Sequence, residues 1–243
     1  DDGGITSTEP GDAIGVRSGT SMSAPAVTGA AILVTEAWNK SMWGLDSPGP
    51  EVLRAVLCGT ATDLLSNGPD FRSGFGEVNV RKSVESVLFG NTLKERFTFG
   101  APPLIREFTP HESSFTCTVA WSDRPYEDGS SQLRRDLDIY AVSPTGETFM
   151  PWFLDPESPS ASAVQNGTAD KLNTIEQLEV SSPDPGVWQL VVLGDGNEAD
   201  GVNIPVGICI EGASWNGSRG SIQISQHSYD AGEIVPFQAW ITK

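Results

Sequence analysis

The chain has 243 residues, enough for one large or two modest domains that each bury a hydrophobic core. Its 15 basic and 32 acidic residues give a formal net charge of −17, which argues against nucleic acid or an anionic membrane as a partner. No run of apolar residues is long enough to predict a membrane-spanning helix, and the first residues lack the pattern of a signal peptide.

The chain begins with an acidic, glycine-rich stretch that predicts a loop around a short strand at residues 5–8. The heptapeptide GTSMSAP follows at residues 19–25, and small or apolar residues continue as far as Trp38. This composition predicts a helix from Met22 to Trp38 that is buried on every side.

Ser21 stands at the predicted N-terminus of this helix, where backbone N–H groups lack helical partners and the positive end of the helix dipole attracts anions. A serine in that position can present its hydroxyl group while nearby N–H groups face a developing oxyanion. Gly19 allows a close approach of another backbone, and Pro25 is tolerated near a helix start. Taken without the full string, the same features also fit an ordinary capped core helix.

Further helices are predicted at residues 50–58 and 80–89, with the turn GFGEVNV between them at residues 74–80. The string GTSMSAPAVTG at residues 19–29 resembles the nucleophile motif of the subtilisin-like serine proteases, the subtilases, and the order of elements after it resembles the end of their catalytic domain. The resemblance implies that residues 1–91 are the C-terminal third of a doubly wound α/β domain. It further implies that Ser21 is the nucleophile and that Gly19 and Thr20 line the substrate cleft.

From about residue 92 the hydrophobic pattern changes from helical to alternating, which predicts a β-sandwich or jelly roll over residues 92–212. Strings such as AWSD, DLDI, SPTG, NTIE and PGVW resemble the C-terminal sandwich that some subtilases carry. Residues 213–243 are predicted to add strands or to begin a further module. The candidate strands of the whole region are 94–99, 104–108, 114–121, 136–142, 147–150, 175–180, 187–193, 204–211, 221–226 and 233–241.

A serine hydroxyl needs an adjacent base, and the only two histidines are His111 and His227. Both follow Ser21, whereas the resemblance implies the order Asp, His, Ser; it therefore places the Asp, the His and the oxyanion Asn in an upstream segment. The predicted function is a serine endopeptidase that cleaves peptide or protein substrates through an acyl-enzyme on Ser21, with that segment as its partner. The alternative is a catalytically inactive fragment that serves as a binding or stabilising sandwich. An esterase fits poorly, because the pattern Gly-x-Ser-x-Gly is absent around Ser21.

A second candidate site is an acidic cluster of the predicted sandwich. Asp136 and Asp138 lie two residues apart on one predicted strand and therefore share a face, and Asp123 follows the strand that ends at Trp121, from where it could converge on them. Several carboxylate oxygens suit a structural calcium ion, which the resemblance also implies. An equally weighted alternative is that these aspartates pair with the arginines at positions 124, 134 and 135.

The three cysteines and three glycosylation sequons bear on the compartment. Cys117 and Cys209 lie in predicted strands and can pair only if those strands are neighbours, whereas Cys58 is predicted to be a buried free thiol. The sequons at Asn39, Asn166 and Asn216 weakly favour a secreted or extracellular protein, which also suits the acidic surface.

Overall fold

The N-terminal part of the chain opens with a β-hairpin. The computed structural model describes residues 4–41, 46–124, 133–168, 170–194, 201–217, 221–224 and 237–240. Strands β1 (Ile5–Glu9) and β2 (Ala13–Arg17) pair antiparallel. The first strand was predicted and the second was not. Its turn contains Gly11 and Asp12, which both have positive φ, so the Gly-Asp pair was the sequence feature that marks the hairpin.

Three helices follow, and all three are confirmed predictions: α1 (Thr20–Lys40), α2 (Gly49–Gly59) and α3 (Val80–Leu88). The third helix begins at a side-chain cap, since Asn79 Oδ1 accepts a hydrogen bond from the backbone N–H of Lys82. Within the described part of the chain, no helix combines the length and hydrophobicity that a bilayer crossing requires.

Two antiparallel sheets make up the region after residue 91. One has the strand order β3-β10-β5-β8 and the other the order β11-β4-β9-β6-β7. All eight predicted strands between residues 94 and 211 are present with small shifts at their ends, and the short β11 was not predicted. The strands are β3 (Thr92–Thr98), β4 (Leu104–Pro110), β5 (Ser114–Trp121), β6 (Leu137–Val142), β7 (Thr148–Phe149), β8 (Ile175–Ser181), β9 (Trp188–Gly194), β10 (Asn203–Glu211) and β11 (Ala213–Trp215).

The two sheets enclose the larger hydrophobic core. Inward-facing side chains alternate along the strands, and the largest are the fully buried Trp121 and Trp188. Phe108 and Phe115 meet edge to face with ring centroids 4.9 Å apart, and Phe115 also meets Trp188 at 5.0 Å. Trp121 and Trp188 therefore belong to the core between the two sheets.

A second core lies on the outer face of the four-stranded sheet, where the helices pack. It joins apolar side chains of all three helices to Ala120 of β5 and Cys209 of β10. Helix α2 approaches β10 so closely that a Cβ atom on Gly207 would lie 2.4 Å from the carbonyl oxygen of Glu51. The helical region and the sheets therefore share buried surface, although their division into separate domains at residues 91 and 212 stays a prediction.

The expected burial of α1 on every side is wrong for this chain. Only Ala30, Val34, Ala37 and Trp38 are buried, all in the second half of the helix. Residues 23–29 are exposed because none of the described elements covers that end of the helix. The apolar composition thus predicted burial that this chain by itself does not supply.

Near the C-terminus, β12 (Ser221–Ile224) pairs antiparallel with β13 (Phe237–Trp240), within the two strands predicted there. Strand β11 extends the five-stranded sheet by pairing with β4. Residues 213–215 therefore continue the second sheet.

Candidate active site

Ser21 is the second residue of α1, and its side chain is exposed. The helix has Gly19 as its N-cap, with φ +140° and ψ 177°, a backbone conformation that is open essentially only to glycine. Ser21 is therefore in the first helical turn rather than at the cap itself. Apart from its chain neighbours, no described residue lies within 4 Å of the position that a Cβ atom on Gly19 would take, so the backbone there is open to approach.

The backbone around Ser21 presents unused hydrogen-bond donors. The N–H groups of Met22 and Ser23 both bond to the carbonyl oxygen of Gly19, at 3.0 and 3.2 Å. Among the described residues, no acceptor is bonded to the N–H groups of Thr20 and Ser21 or to the Ser21 hydroxyl. Two adjacent donors at the positive end of a 21-residue helix therefore lie beside the hydroxyl group, where they can stabilise an oxyanion.

Pro25 lies deeper in the helix than the first turn, at its sixth residue. Its ring nitrogen cannot donate a hydrogen bond to the carbonyl oxygen of Ser21, which is four residues earlier. The proline thus loosens the helix at the serine itself, a larger effect than the sequence expectation of a harmless proline at the helix start.

Exposed apolar side chains are concentrated on the hairpin and on α1. They comprise residues of the β1–β2 hairpin and of α1, with exposed fractions between 39% and 75%: Ile5, Ile14, Val16, Val27, Ile32 and Leu33. Exposed apolar side chains in such number usually mark a contact surface. We call them the hairpin–helix face.

Neither histidine is placed beside Ser21 by the described contacts. His111 lies in the turn between β4 and β5, where its backbone N–H donates to the carbonyl oxygen of Gly212. His227 lies outside the described residues. The expectation that the catalytic base is upstream stays a prediction.

The three aspartates of the predicted calcium site do not converge. Both oxygens of Asp123 accept backbone N–H groups: Oδ1 from Arg124 at 2.8 Å, and Oδ2 from Arg134 and Arg135 at 2.6 and 3.1 Å. Among the residues that the structure describes, no group of three or more His, Cys, Asp or Glu side chains is arranged to hold a metal ion.

Asp136 and Asp138 do lie together, and a lysine lies between them. The ammonium nitrogen of Lys171 is 2.6 Å from Oδ2 of Asp136 and 3.7 Å from Oδ2 of Asp138. Asp123 thus contacts arginine backbone N–H groups, and Asp136 and Asp138 contact a lysine; the pairing of these aspartates with arginine side chains stays a prediction. Calcium binding by the three aspartates stays a prediction, and the positions of these side chains do not fit it.

Sequence reasoning missed Glu176, which lies near these aspartates on β8 and is 3% exposed. Its Oε2 accepts the N–H of Ile139 at 2.8 Å, and its Oε1 has no hydrogen-bond partner in the described part of the chain. Burial, together with the charges of Asp138, Asp170 and Asp136, raises the pKa of Glu176 to about 9. A glutamate in an alternating strand gave no sign of this, because its neighbours come from distant parts of the chain.

The three cysteines are free thiols. Strands β5 and β10 are neighbours, but Cys117 points into the core between the sheets and Cys209 into the core under the helices. Side chains on opposite faces of a sheet cannot form a disulfide without moving the backbone. The open question of their pairing is therefore answered by the fold.

Comparison with known proteins identifies the first part of the chain. The model of the subtilase family, Peptidase_S8, matches residues 3–76, which is less than a third of the sequence. No curated protein matches the chain. The matched segment contains the hairpin, α1 with Ser21, α2 and the turn that leads toward α3. Residues 3–76 are therefore similar to the subtilase family, which supports a subtilase-like fragment at this end of the chain.

Proposed function

We propose that this protein is a subtilase-type serine endopeptidase in which Ser21 attacks the scissile carbonyl of a peptide or protein substrate. The observation that carries the proposal is the exposed Ser21 hydroxyl in the first turn of α1, next to two N–H groups without acceptors among the described residues. The family match covers this turn. In the tetrahedral intermediate that precedes the acyl-enzyme, the N–H of Ser21 stabilises the oxyanion, while Gly19 and Thr20 line the cleft.

The proposal includes an upstream segment that supplies the Asp, the His and the oxyanion Asn. The hairpin–helix face supports this part, because its apolar side chains and the exposed first half of α1 are surface that a covering segment would bury. Ile14, at 75% exposure, and Ile32, at 64%, are the most exposed of its side chains. Burying each of them would contribute about 1.5–3 kcal/mol toward holding the upstream segment in place.

We also assign the two-sheet region to the jelly-roll type. The eight strands from β3 to β10 are divided between the sheets in the orders β3-β10-β5-β8 and β4-β9-β6-β7, and successive strands change sheet everywhere except between β6 and β7. This alternation is consistent with the double-sheet arrangement of two Greek keys. It packs against the helices behind Ser21 and thereby supports the nucleophile helix from its buried side.

The test is covalent labelling by a fluorophosphonate probe, which reacts with serines activated by a base. We expect the full-length protein that includes the upstream segment to label at a protease-like rate, and the 243-residue chain not to label. Ser21→Ala should abolish labelling, since loss of a triad serine removes nearly the whole rate advantage of the triad.

Ser23→Ala is the matched control, because Ser23 is an exposed serine of the same helical turn and its hydroxyl bonds weakly to the Gly19 carbonyl oxygen. It should leave labelling nearly unchanged. Rapid labelling of the 243-residue chain would refute the need for an upstream base. Absence of labelling in the full-length protein would favour the inactive sandwich module.

A further inference from the structure

One of the three glycosylation sequons lies in a turn of its own on the surface of the two-sheet region. Asn166 and Thr168 are exposed, and Asn166 Oδ1 accepts the backbone N–H of Thr168 at 3.0 Å. Gly167 between them has φ +81°, and apart from its chain neighbours the nearest described residue to an added Cβ atom is Met150, at 3.8 Å. Among the described residues, no acceptor is bonded to Nδ2 of Asn166, the nitrogen that N-linked glycosylation modifies.

The residues just before this sequon anchor it to the edge of the four-stranded sheet. Gln165 Nε2 donates to the carbonyl oxygens of Met150 and Glu179, at 2.9 and 3.0 Å. Glu179 belongs to β8, the last strand of that sheet. Val164 and Phe153 exchange two backbone hydrogen bonds, of 2.8 and 3.0 Å. None of these contacts uses the side chain of the sequon asparagine, so a sugar chain on its Nδ2 displaces none of them.

The sequon at Asn39 is built into a helix instead. Asn39 is the penultimate residue of α1, and side chains two positions apart on a helix do not face each other. Ser41, the third residue of this sequon, caps the helix: its N–H donates to the carbonyl oxygen of Ala37 and its hydroxyl to that of Trp38, at 2.9 and 2.7 Å. An enzyme that binds the amide and the hydroxyl of the sequon together would have to unwind a helix end whose Ala37 and Trp38 are buried.

The sequon at Asn216 is engaged with the five-stranded sheet. Asn216 Oδ1 accepts the hydroxyl of Thr109 at 2.8 Å, and the backbone N–H of Asn216 donates to the carbonyl oxygen of Glu107 at 2.8 Å. Both partners belong to β4, so the Asn216 side chain lies against that strand. Within the described part of the chain, Asn166 therefore differs from both other asparagines: it lies in a turn, and its side chain bonds only to its own sequon.

We propose that Asn166 carries an N-linked glycan and is occupied in preference to Asn39 and Asn216. Nδ2 of Asn166 attacks the anomeric carbon of the first sugar of a lipid-linked oligosaccharide diphosphate, bound to a membrane-bound oligosaccharide transferase. The bond from this carbon to the diphosphate oxygen breaks, and the lipid diphosphate leaves with the electron pair of that bond. Nδ2 gives up one proton to a base of the transferase, so the product is a neutral secondary amide.

A glycan at this position stands beside the outer edge of β8, which pairs with no further strand of the described sheet. The carbonyl oxygens of Gln177 and Glu179 on this edge accept the N–H of Trp152 and the amide of Gln165 instead. Exposed strand edges can pair with another chain, and proteins protect such edges by covering them. The proposal requires that the chain enter the secretory compartment of a eukaryotic cell, and it is independent of the role of Ser21.

The test is peptide mapping of the full-length protein purified from the cells that make it. Peptide N-glycosidase in heavy-oxygen water converts a glycosylated asparagine to an aspartate that carries the heavy isotope. We expect this label at Asn166 in most of the molecules, and at Asn39 and Asn216 in fewer. A parallel digest without the enzyme measures spontaneous deamidation, which the Asn166–Gly167 pair also favours because glycine leaves the backbone nitrogen accessible.

Substitutions in the full-length protein, secreted from a eukaryotic host, separate the sequon from the asparagine itself. Thr168→Ala keeps Asn166 but breaks the sequon, and it should reduce the mass of the secreted protein by one glycan, as Asn166→Gln does. Thr168→Ser keeps the sequon and should retain the glycan. Asn39→Gln and Asn216→Gln are the matched controls and should change the mass little.

Two results would overturn the proposal. The first is an Asn166 that is unmodified in the protein from its own cells, and the second is a higher occupancy of Asn39 or Asn216 than of Asn166. If the Thr168→Ala and Asn166→Gln variants are not secreted, the peptide map of the wild-type protein decides alone. Labelling of Ser21 by a fluorophosphonate does not involve this turn, so the glycan and the proposed protease activity succeed or fail separately.

Discussion

The backbones of α2 and β10 lie very close together at Gly207, and Gly207→Ala tests how much that contact contributes. A Cβ atom there would lie 2.4 Å from the carbonyl oxygen of Glu51 and 2.5 Å from the Cα atom of Val52. Both are backbone atoms and cannot rotate away. Ordinary van der Waals contact begins near 3.4 Å, so α2 must move by about 1 Å from β10.

The expected cost follows from the surroundings. The displaced helix carries Val52, Ala55 and Val56, which are all fully buried in the core under the helices. Overpacking of this kind destabilises by about 1–3 kcal/mol, and the upper end applies here because the obstacle is backbone. For a chain of this size, such a loss lowers the melting temperature by roughly 6–10 °C.

Thermal unfolding followed by circular dichroism measures the effect, and hydrogen exchange of the α2 amides locates it. Gly29→Ala is the control: Gly29 is helical, and nothing lies within 4 Å of the position of an added Cβ atom. It should raise stability by up to about 1 kcal/mol. A Gly207→Ala variant that melts with the wild type and keeps its α2 protection would refute the reasoning.

Two further predictions concern buried titratable groups. Burial above all raises the pKa of Glu176 from 4.5 to about 9, so the folded state holds a proton that the unfolded chain releases. The stability that this proton confers is complete at low pH and is lost as the pH rises from about 5 to 9. Glu176→Gln should flatten that decline by about 2 kcal/mol or more, and equal pH slopes of unfolding free energy would contradict it. Burial also raises the pKa of the Cys58 thiol to about 11 and that of Cys209 to about 12. All three cysteines should therefore react with Ellman's reagent only in denaturant, and fewer than three reactive thiols there would reveal a disulfide.

Regular elements could be predicted from the sequence because their patterns are local. The 3.6-residue spacing of α2 and the alternation along β5 each contain the information that defines the element. Strand β2 was missed because its side chains are nearly all exposed, so AIGVR shows no alternation that burial would enforce. The expected burial of α1 was wrong for a different reason: no described part of the chain covers the first half of the helix.

The residues of the candidate sites also differ in whether a local sequence pattern reveals them. Ser21 could be found because its motif is contiguous. Its helix also begins at Gly19, whose backbone conformation is open essentially only to glycine. The contacts of Lys171 and Glu176 could not be found, because they arise where β6 and β8 meet across the two sheets. Such contacts join residues more than thirty positions apart, and no local pattern reports them.

The core that the helices share with Ala120 and Cys209 couples the unfolding of the helices to the unfolding of the sheets. Arg54 of α2 strengthens it by donating to the carbonyl oxygens of Trp121 and Thr174, at 3.0 and 3.2 Å. Folding of the serine helix and folding of the sheets are then one cooperative event. Proteolytic nicking near residue 91 should leave two fragments that stay associated and melt together. The sheets expressed without the helices would expose an apolar stripe and aggregate.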